Sequence, residues 1–257
     1  MIKTFTGELI GTFILVLFGC GAVAGAVVFG AFDSLFEVAM IWGIGVTLGI
    51  FASRNLSQAH LNPAVTVAFI LAGRTPVKET ATYILGQLVG AFLAGGLVYL
   101  IFEPSIAMYE AANEIVRGTE ASKLTASMFG EYYPNPGFAD KINLSMPAAI
   151  AIEVLGTFLL IWLIFYITEK SEQQDNFSAF MIGLTVTIII TLIAPFTQSC
   201  LNPARDFAPR MIAWMGGWGD AAFPDASGGW FFVYIMGPVI GGVLAALMFR
   251  LTSGKQD

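Results

Sequence analysis

Long apolar segments separated by short polar stretches make up most of the chain. Six segments of 16 to 23 residues are mostly apolar: residues 7–28, 37–52, 80–102, 147–168, 179–194 and 230–251. An α-helix needs about 20 apolar residues to cross the hydrocarbon core of a bilayer, so the pattern predicts six membrane-spanning helices. Two further apolar segments, residues 63–72 and 203–214, lie where loops are expected and are too short to cross.

The two halves of the chain repeat the same motifs in the same order. The matching pairs are Glu8 with Glu153, Asn62-Pro63-Ala64 with Asn202-Pro203-Ala204, and residues 86–94 with residues 237–245. Three ordered matches indicate an internal duplication. Because each half holds three spans, the second half must enter the membrane upside down, as an inverted repeat.

These patterns predict an all-α membrane protein with six transmembrane helices and two re-entrant half-helices. We expect one transmembrane channel domain over residues 1–257, with repeat halves at about 1–102 and 147–251. A long external loop, residues 103–146, joins the halves.

The charged residues predict how the chain sits in the membrane. With the N-terminus inside, seven Lys and Arg side chains lie on the inner side and four on the outer side. The inner set is Lys3, Arg54, Arg74, Lys78, Lys170, Arg250 and Lys255, and the outer set is Arg117, Lys123, Lys141 and Arg210. An excess of positive charge marks the cytoplasmic side, which predicts a multi-pass plasma-membrane protein with both termini in the cytoplasm.

The composition supports a lipid environment and narrows the function. Hydrophobic residues make up 56% of the chain and charged residues 12%, whereas a soluble domain has about 25% charged residues. The net charge of −6 disfavours a nucleic-acid partner. Cys20, Cys200 and His60 form neither a disulfide framework nor a metal-ligand pattern, and no nucleophile–base pair is evident. We therefore expect no metal, no cofactor and no enzymatic activity.

The two Asn-Pro-Ala turns suggest a pore. Irregular backbone at membrane depth persists only where it lines a cavity, so residues 57–61 and 198–201 should offer their carbonyls to a solute. Asparagine favours the N-cap and proline the first helical position, although the asparagine amides could instead face the solute. Two helix N-termini that meet at the midplane would repel cations and protons. One such turn is most simply a capped helix, whereas two in duplicated halves favour a channel for neutral solutes.

Residues 59–66 and 201–207 resemble the aquaporin family, also called the major intrinsic proteins. Asp206 directly after Arg205, and the loop fragments 115–118 and 133–136, are similar to the glycerol-facilitator branch. The resemblance implies a passive channel for glycerol and other small uncharged solutes, with some water permeability, assembled as a homotetramer in the lipid bilayer. A water-dominant channel, or a channel for urea, dihydroxyacetone or a protonated small acid, is the alternative.

Arg205 is the first candidate for solute recognition. Its guanidinium can bind two hydroxyl oxygens, although an arginine that pairs with a carboxylate for structure is the alternative. The resemblance adds Trp42, Ile190 and Ser199 to the same selectivity filter. Glycerol facilitators typically have glycine and phenylalanine at the last two positions, so we expect a weaker preference for the carbon face of a polyol.

Further residues are expected to line or support the pore. The resemblance assigns pore carbonyls to Gln58, Ala59, His60, Gln198, Ser199 and Cys200, and support of the loops to Glu8, Glu153, His60 and Asp206. Gln58 stands where many glycerol facilitators have glycine, and its side chain is expected to crowd the inner vestibule. Carboxylates inside spans could instead relay protons in a secondary transporter, which would show saturation and dependence on a proton gradient.

Overall fold

The computed structural model describes residues 1–169, 176–223 and 228–253, and these ranges contain helices and connecting segments but no strand. Six long helices are apolar enough to cross a membrane. They are α1 (Ile2–Phe29), α2 (Leu35–Ser53), α4 (Thr80–Ala112), α5 (Met146–Glu169), α6 (Asn176–Thr197) and α8 (Gly229–Thr252). Two short helices, α3 (Pro63–Leu71) and α7 (Pro203–Ala213), follow α2 and α6. The predicted all-α class with six spans and two half-helices is confirmed.

The two halves of the chain show the same pattern of helix contacts. Within each half the first and last spans contact each other, α1 with α4 and α5 with α8. Each half-helix packs on the last span of the opposite half, α3 on α8 and α7 on α4. The side of the membrane that holds the starts of α1 and α4 and the end of α8 is called the termini side below, and the opposite side is the long-loop side.

Helices α2 and α6 cross closely where the two halves meet. A Cβ atom on Gly183 would collide with the carbonyl of Gly43, and the reverse substitution would collide as well. The hydroxyl of Thr187 donates to the carbonyl of Ala39 (3.3 Å), and Thr47 makes the equivalent bond to α6 (3.4 Å). In lipid no hydrophobic force drives helices together. Close packing of small residues and interhelical hydrogen bonds hold them together instead.

Helix α4 extends beyond the predicted boundary at residue 102 and ends only at Ala112. Ile106 is buried against the protein rather than exposed in a loop. The carboxylate of Glu110 accepts from Thr125 (2.6 Å) and pairs with Arg117 (2.8 Å), so the polar residues of this extension are satisfied within the fold. The predicted loop 103–146 therefore begins with the end of α4, and the connection that follows from Asn113 includes a short helix at Lys123–Ala126. Residues 170–175, 224–227 and 254–257, which include Lys170 and Lys255 of the charge count, lie outside the described residues.

Candidate functional site

The backbone between each long helix and the following half-helix is irregular. Ala59 and Leu61 in the first segment have φ angles of 51° and 53°. Gln198, Ser199 and Leu201 in the second have φ angles of 58°, 61° and 56°. Residues with side chains rarely adopt positive φ, and such strain persists only where the surroundings hold it. Two buried carboxylates provide that support.

Glu8 holds the first segment from within α1. Its carboxylate accepts from the backbone N–H of His60 (3.0 Å) and of Leu61 (2.7 Å). The hydroxyl of Ser57 (2.7 Å) and the amide of Gln87 (2.7 Å) also donate to it. Four donors converge on an acceptor that is fully buried, and donors of this kind stabilise the ionised form.

Glu153 holds the second segment in the same way from α5. It accepts from the hydroxyl of Thr197 (2.6 Å) and from the N–H groups of Cys200 (3.0 Å) and Leu201 (3.0 Å). Pro238 stands where the repeat has a glutamine in the first half, so Glu153 lacks that fourth donor. The structure thus brings both repeat-related carboxylates to the broken segments.

The two Asn-Pro-Ala turns meet in the middle of the molecule. The side-chain oxygens of Asn62 and Asn202 cap α3 and α7, each accepting from the N–H two residues on, at 2.8 and 3.1 Å. The amide nitrogen of Asn62 donates to the carbonyl of Leu201, and that of Asn202 donates to the carbonyl of Leu61, both at 2.8 Å. The half-helices therefore face each other with their N-termini. The side-chain oxygens thus cap the half-helices, while each amide nitrogen donates to the opposite segment; donation to a solute stays a prediction.

A cavity runs past both turns. Its polar lining comes from the irregular segments, from the filter position and from the end of α5: Gln58, Ala59, His60, Asn62, Thr168, Gln198, Ser199, Cys200, Asn202 and Arg205. Its apolar lining comes mainly from α1, α2, α5 and α6: Leu15, Trp42, Val46, Ile50, Leu160, Ile164, Ile182, Val186 and Ile190. Pro63, Ala64, Pro203 and Ala204 are buried in the turns and lie behind this lining. The cavity is amphipathic along its length.

The four predicted filter residues line the same cavity. The guanidinium of Arg205 lies 4.1 Å from the centre of the Trp42 ring. Trp42 fits against α1 because Gly19 has no side chain, since a Cβ there would overlap the indole. Ile190 and Ser199 are buried beside them. Within the described part of the chain, Nη1 of Arg205 and the hydroxyl of Ser199 are buried and have no protein partner.

Glu131, in the long external loop, forms an ion pair with Arg205. The loop is fixed to α7, because Asp206 accepts from the N–H of Glu131 (2.7 Å) and Arg210 donates to its carbonyl (2.6 Å). Arg210 also binds Asp206 (2.6 Å), and both side chains are fully buried. Arg210, which the charge count assigns to the outer side, is buried against the external loop rather than exposed to water. Asp206 supports the external loop rather than the re-entrant segment.

Sequence reasoning missed Glu131, which the structure places beside Arg205. No spacing relates it to Arg205, since 74 residues separate them. The one available signal was physical: an arginine at membrane depth needs a carboxylate partner. The alternative of a structurally paired Arg205 therefore describes the edge that binds Glu131, while Nη1 is buried without a protein partner within the described residues.

His60 is packed behind the first segment. Its ring stacks on Tyr83, with 4.4 Å between centres, and lies 4.7 Å from Phe69. Its Nδ1 is 3.2 Å from the hydroxyl of Thr66 and its Nε2 is 3.5 Å from that of Thr75. These contacts hold the imidazole in place while the residue lines the cavity.

Opposed half-helices, cross-bonded turns and an amphipathic cavity within six spans define a passive transmembrane channel. The chain belongs to the major intrinsic protein family, whose model matches residues 1–249. This confirms the resemblance found in the sequence. Because members of the family are channels, the protein is a transport protein and not an enzyme.

Similar proteins are known from several bacteria. The chain is 36% identical to the glycerol uptake facilitator protein of Haemophilus influenzae, covering 96% of this chain and 92% of the relative. It is 35% identical to the glycerol uptake facilitator protein of Escherichia coli K12, covering 96% and 87%. It is also 35% identical to the propanediol uptake facilitator of Citrobacter freundii, covering 96% and 91%. The X-ray structure of the aquaglyceroporin from Plasmodium falciparum has the same fold, with a TM-score of 0.83, 24% identity and coverage of 98% and 97%.

Proposed function

We propose that the protein conducts glycerol and other small uncharged solutes down their concentration gradients and lets some water pass. The observation that carries the proposal is the composition of the ring at the long-loop end of the cavity. Trp42 and Ile190 give it an apolar wall, while Nη1 of Arg205 and the hydroxyl of Ser199 are buried polar groups without a protein partner. A polyol matches this ring because it carries carbon on one side and hydroxyls on the other.

Beyond the ring, the solute would exchange one set of hydrogen bonds for the next. Each asparagine amide nitrogen carries two hydrogens and uses one for the opposite loop, so the other can serve a hydroxyl in the cavity. Carbonyls of the broken segments would accept the solute hydroxyls on either side of the turns. A polar wall of this kind offsets the loss of water without binding the solute tightly.

Ion exclusion would come from the half-helices and from the cost of dehydration. Both positive helix ends lie at the turns, where they oppose a cation. Arg205 adds little net charge, because Glu131 pairs with it. The apolar lining cannot replace the water shell of an ion, and an unpaired ion in such surroundings is costly.

The test is stopped-flow light scattering on proteoliposomes that contain the protein, with water, glycerol, urea and dihydroxyacetone as separate arms. Glycerol should enter much faster than into protein-free liposomes, with water also faster. Arg205→Ala should change the ratio of glycerol to water, whereas Lys78→Ala, an exposed residue outside the cavity, should not. Glycerol entry no faster than in protein-free liposomes would refute the channel, and fast urea with slow glycerol would favour the alternative solute class.

We also propose that the channel lies in the plasma membrane with both termini in the cytoplasm, as the charge count indicates. Cys20 and Cys200 are buried, so an impermeant thiol reagent should meet little background. Asn113→Cys in the external loop should react in intact cells, and Ser253→Cys after α8 should react only after permeabilisation. The opposite result would reverse the orientation.

A homotetramer with one pore in each subunit completes the proposal. The outward faces of α1, α2, α5 and α6 carry exposed large apolar side chains, among them Phe18, Ile44, Leu159 and Ile188. Either lipid or a neighbouring subunit can cover such faces, and tight subunit packing would use them. Mass measurement of the protein in detergent should give four copies, and a monomer would refute the assembly.

A further inference from the structure

At the mouth of the cavity on the termini side, one side chain has both atoms of its amide group hydrogen-bonded. Gln58 lines the cavity there and is exposed. Its Oε1 accepts from the hydroxyl of Thr75 (2.5 Å), and its Nε2 donates to the backbone carbonyl of Arg74 (3.2 Å). A glutamine side chain normally samples many rotamers, and holding both amide atoms removes that freedom.

The same contacts continue into the other half of the molecule. Nη1 of Arg74 donates to the hydroxyl of Thr168 (2.9 Å), which lines the cavity from the end of α5. The guanidinium also lies over the rings of Phe249 and Phe165, 4.8 and 5.3 Å from their centres. Gln58 and Thr168 are thus positioned by one residue, Arg74, through its carbonyl and its guanidinium.

We propose that Gln58 is a second specificity-determining residue, which narrows the termini-side mouth together with Thr168 and acts in series with the ring around Arg205. The proposal rests on the channel function above. Because Thr75 and Arg74 hold the side chain, a solute cannot push it aside freely. Its amide and the Thr168 hydroxyl would hydrogen-bond a polyol at this point, and its bulk would slow longer polyols.

Two constrictions in series share the resistance to flow. A glycine at position 58 would remove a five-atom side chain and its hydrogen bonds from one of them. Short solutes, whose passage the outer ring limits, would gain little. Longer polyols would gain more, because each added carbon must pass both narrow points.

The experiment compares wild type, Gln58→Gly and Gln58→Ala in proteoliposomes, with glycerol and a five-carbon polyol as solutes. The ratio of five-carbon polyol to glycerol permeability should rise about threefold or more in both variants, a modest change for opening a pocket by several atoms. Lys78→Ala, on the same side and outside the cavity, is the matched control and should keep the wild-type ratio. Elution as the wild-type species and an unchanged Tm establish that each variant is folded.

A second variant separates positioning from bulk. Thr75→Val keeps the shape of the residue but removes the hydroxyl that holds Gln58, so the ratio should rise in the same direction by a smaller factor. Adding Gln58→Gly to Ser199→Ala, which widens the outer ring, should give a larger increase than Gln58→Gly alone, as resistances in series require. Wild-type ratios in both Gln58 variants, or an equal or smaller effect in the double variant, would overturn the proposal. Wild-type protein without glycerol flux would instead refute the channel itself.

Discussion

Glu131 determines how much of Arg205 a solute can reach. The carboxylate binds Nη2 of the guanidinium and Trp42 covers its face, so among the described residues Nη1 is left without a protein partner. Glycerol would then bind through fewer hydrogen bonds than a bare arginine could offer. A weaker site lets solute leave faster, which suits a channel better than a receptor.

Glu131→Gln should therefore alter both stability and selectivity. The change keeps the size of the side chain but leaves a buried arginine without its counter-charge, and breaking a buried pair costs about 3–5 kcal/mol. We expect a clearly lower Tm in detergent and a changed ratio of glycerol to water permeability in liposomes. Asp140→Asn, an exposed residue of the same loop, should leave both measurements unchanged. An unaltered Tm for Glu131→Gln would mean that the ion pair does not hold the loop.

Ser199→Phe tests the ring from the opposite direction. A second aromatic wall beside Trp42 would pack against the carbon face of glycerol and exclude part of the water file. An aromatic contact is worth about 0.5–1.5 kcal/mol, so the glycerol-to-water permeability ratio should rise about two- to tenfold. Ser199→Ala, which removes the hydroxyl without adding a ring, should not raise it. A ratio that falls in Ser199→Phe would place this side chain outside the narrow part.

The sequence predicted these residues unevenly. Trp42, Ile190, Ser199 and Arg205 came from their positions relative to known motifs, and the structure brings them to one cavity. The position of Glu131 beside Arg205 and the hydrogen bonds that hold Gln58 depend on loop paths and on rotamers. No periodic pattern in a sequence reveals these. Such contacts become readable only when the backbone is known.

At the scale of the helices, composition and length were sufficient to predict the six spans, because lipid tolerates little else than apolar helices of that length. Boundaries were less certain. The turn after residue 102 was expected from Glu103 and the polar residues beyond it, yet α4 continues through Pro104 to Ala112. The burial of Ile106 and the partners of Glu110, which stabilise this extension, are tertiary contacts.

The α2–α6 crossing gives a direct test at this scale. Gly183→Ala would push a methyl group into the carbonyl of Gly43 and force the two halves apart. Overpacking of this kind costs about 1–3 kcal/mol, so we expect a lower Tm and reduced yield of folded protein. Gly21→Ala is the matched control, since nothing lies within 4 Å of the added Cβ. Its stability should stay the same or increase, and an equal loss in both variants would show that the crossing is not special.

For the whole molecule, the partners of Glu8 and Glu153 argue against proton coupling. Each carboxylate accepts from several donors that fix strained backbone, so binding a proton would break the support of a broken segment. We expect glycerol flux to rise linearly with concentration and to be the same with and without an imposed proton gradient. The measurement is isotope uptake into proteoliposomes at equal and unequal pH. Accumulation of glycerol inside the proteoliposomes above the external concentration would support the secondary-transporter hypothesis.

The hydrogen bonds from Asn62 to Leu201 and from Asn202 to Leu61 join the two halves of the chain at mid-membrane. An alternating-access transporter, which opens first to one side of the membrane and then to the other, would have to separate its two halves at this point. In this protein, separation would break both hydrogen bonds at once. Net flux through the channel runs toward the side with the lower solute concentration. Its direction is therefore set by the cell's supply and consumption of the solute rather than by the protein.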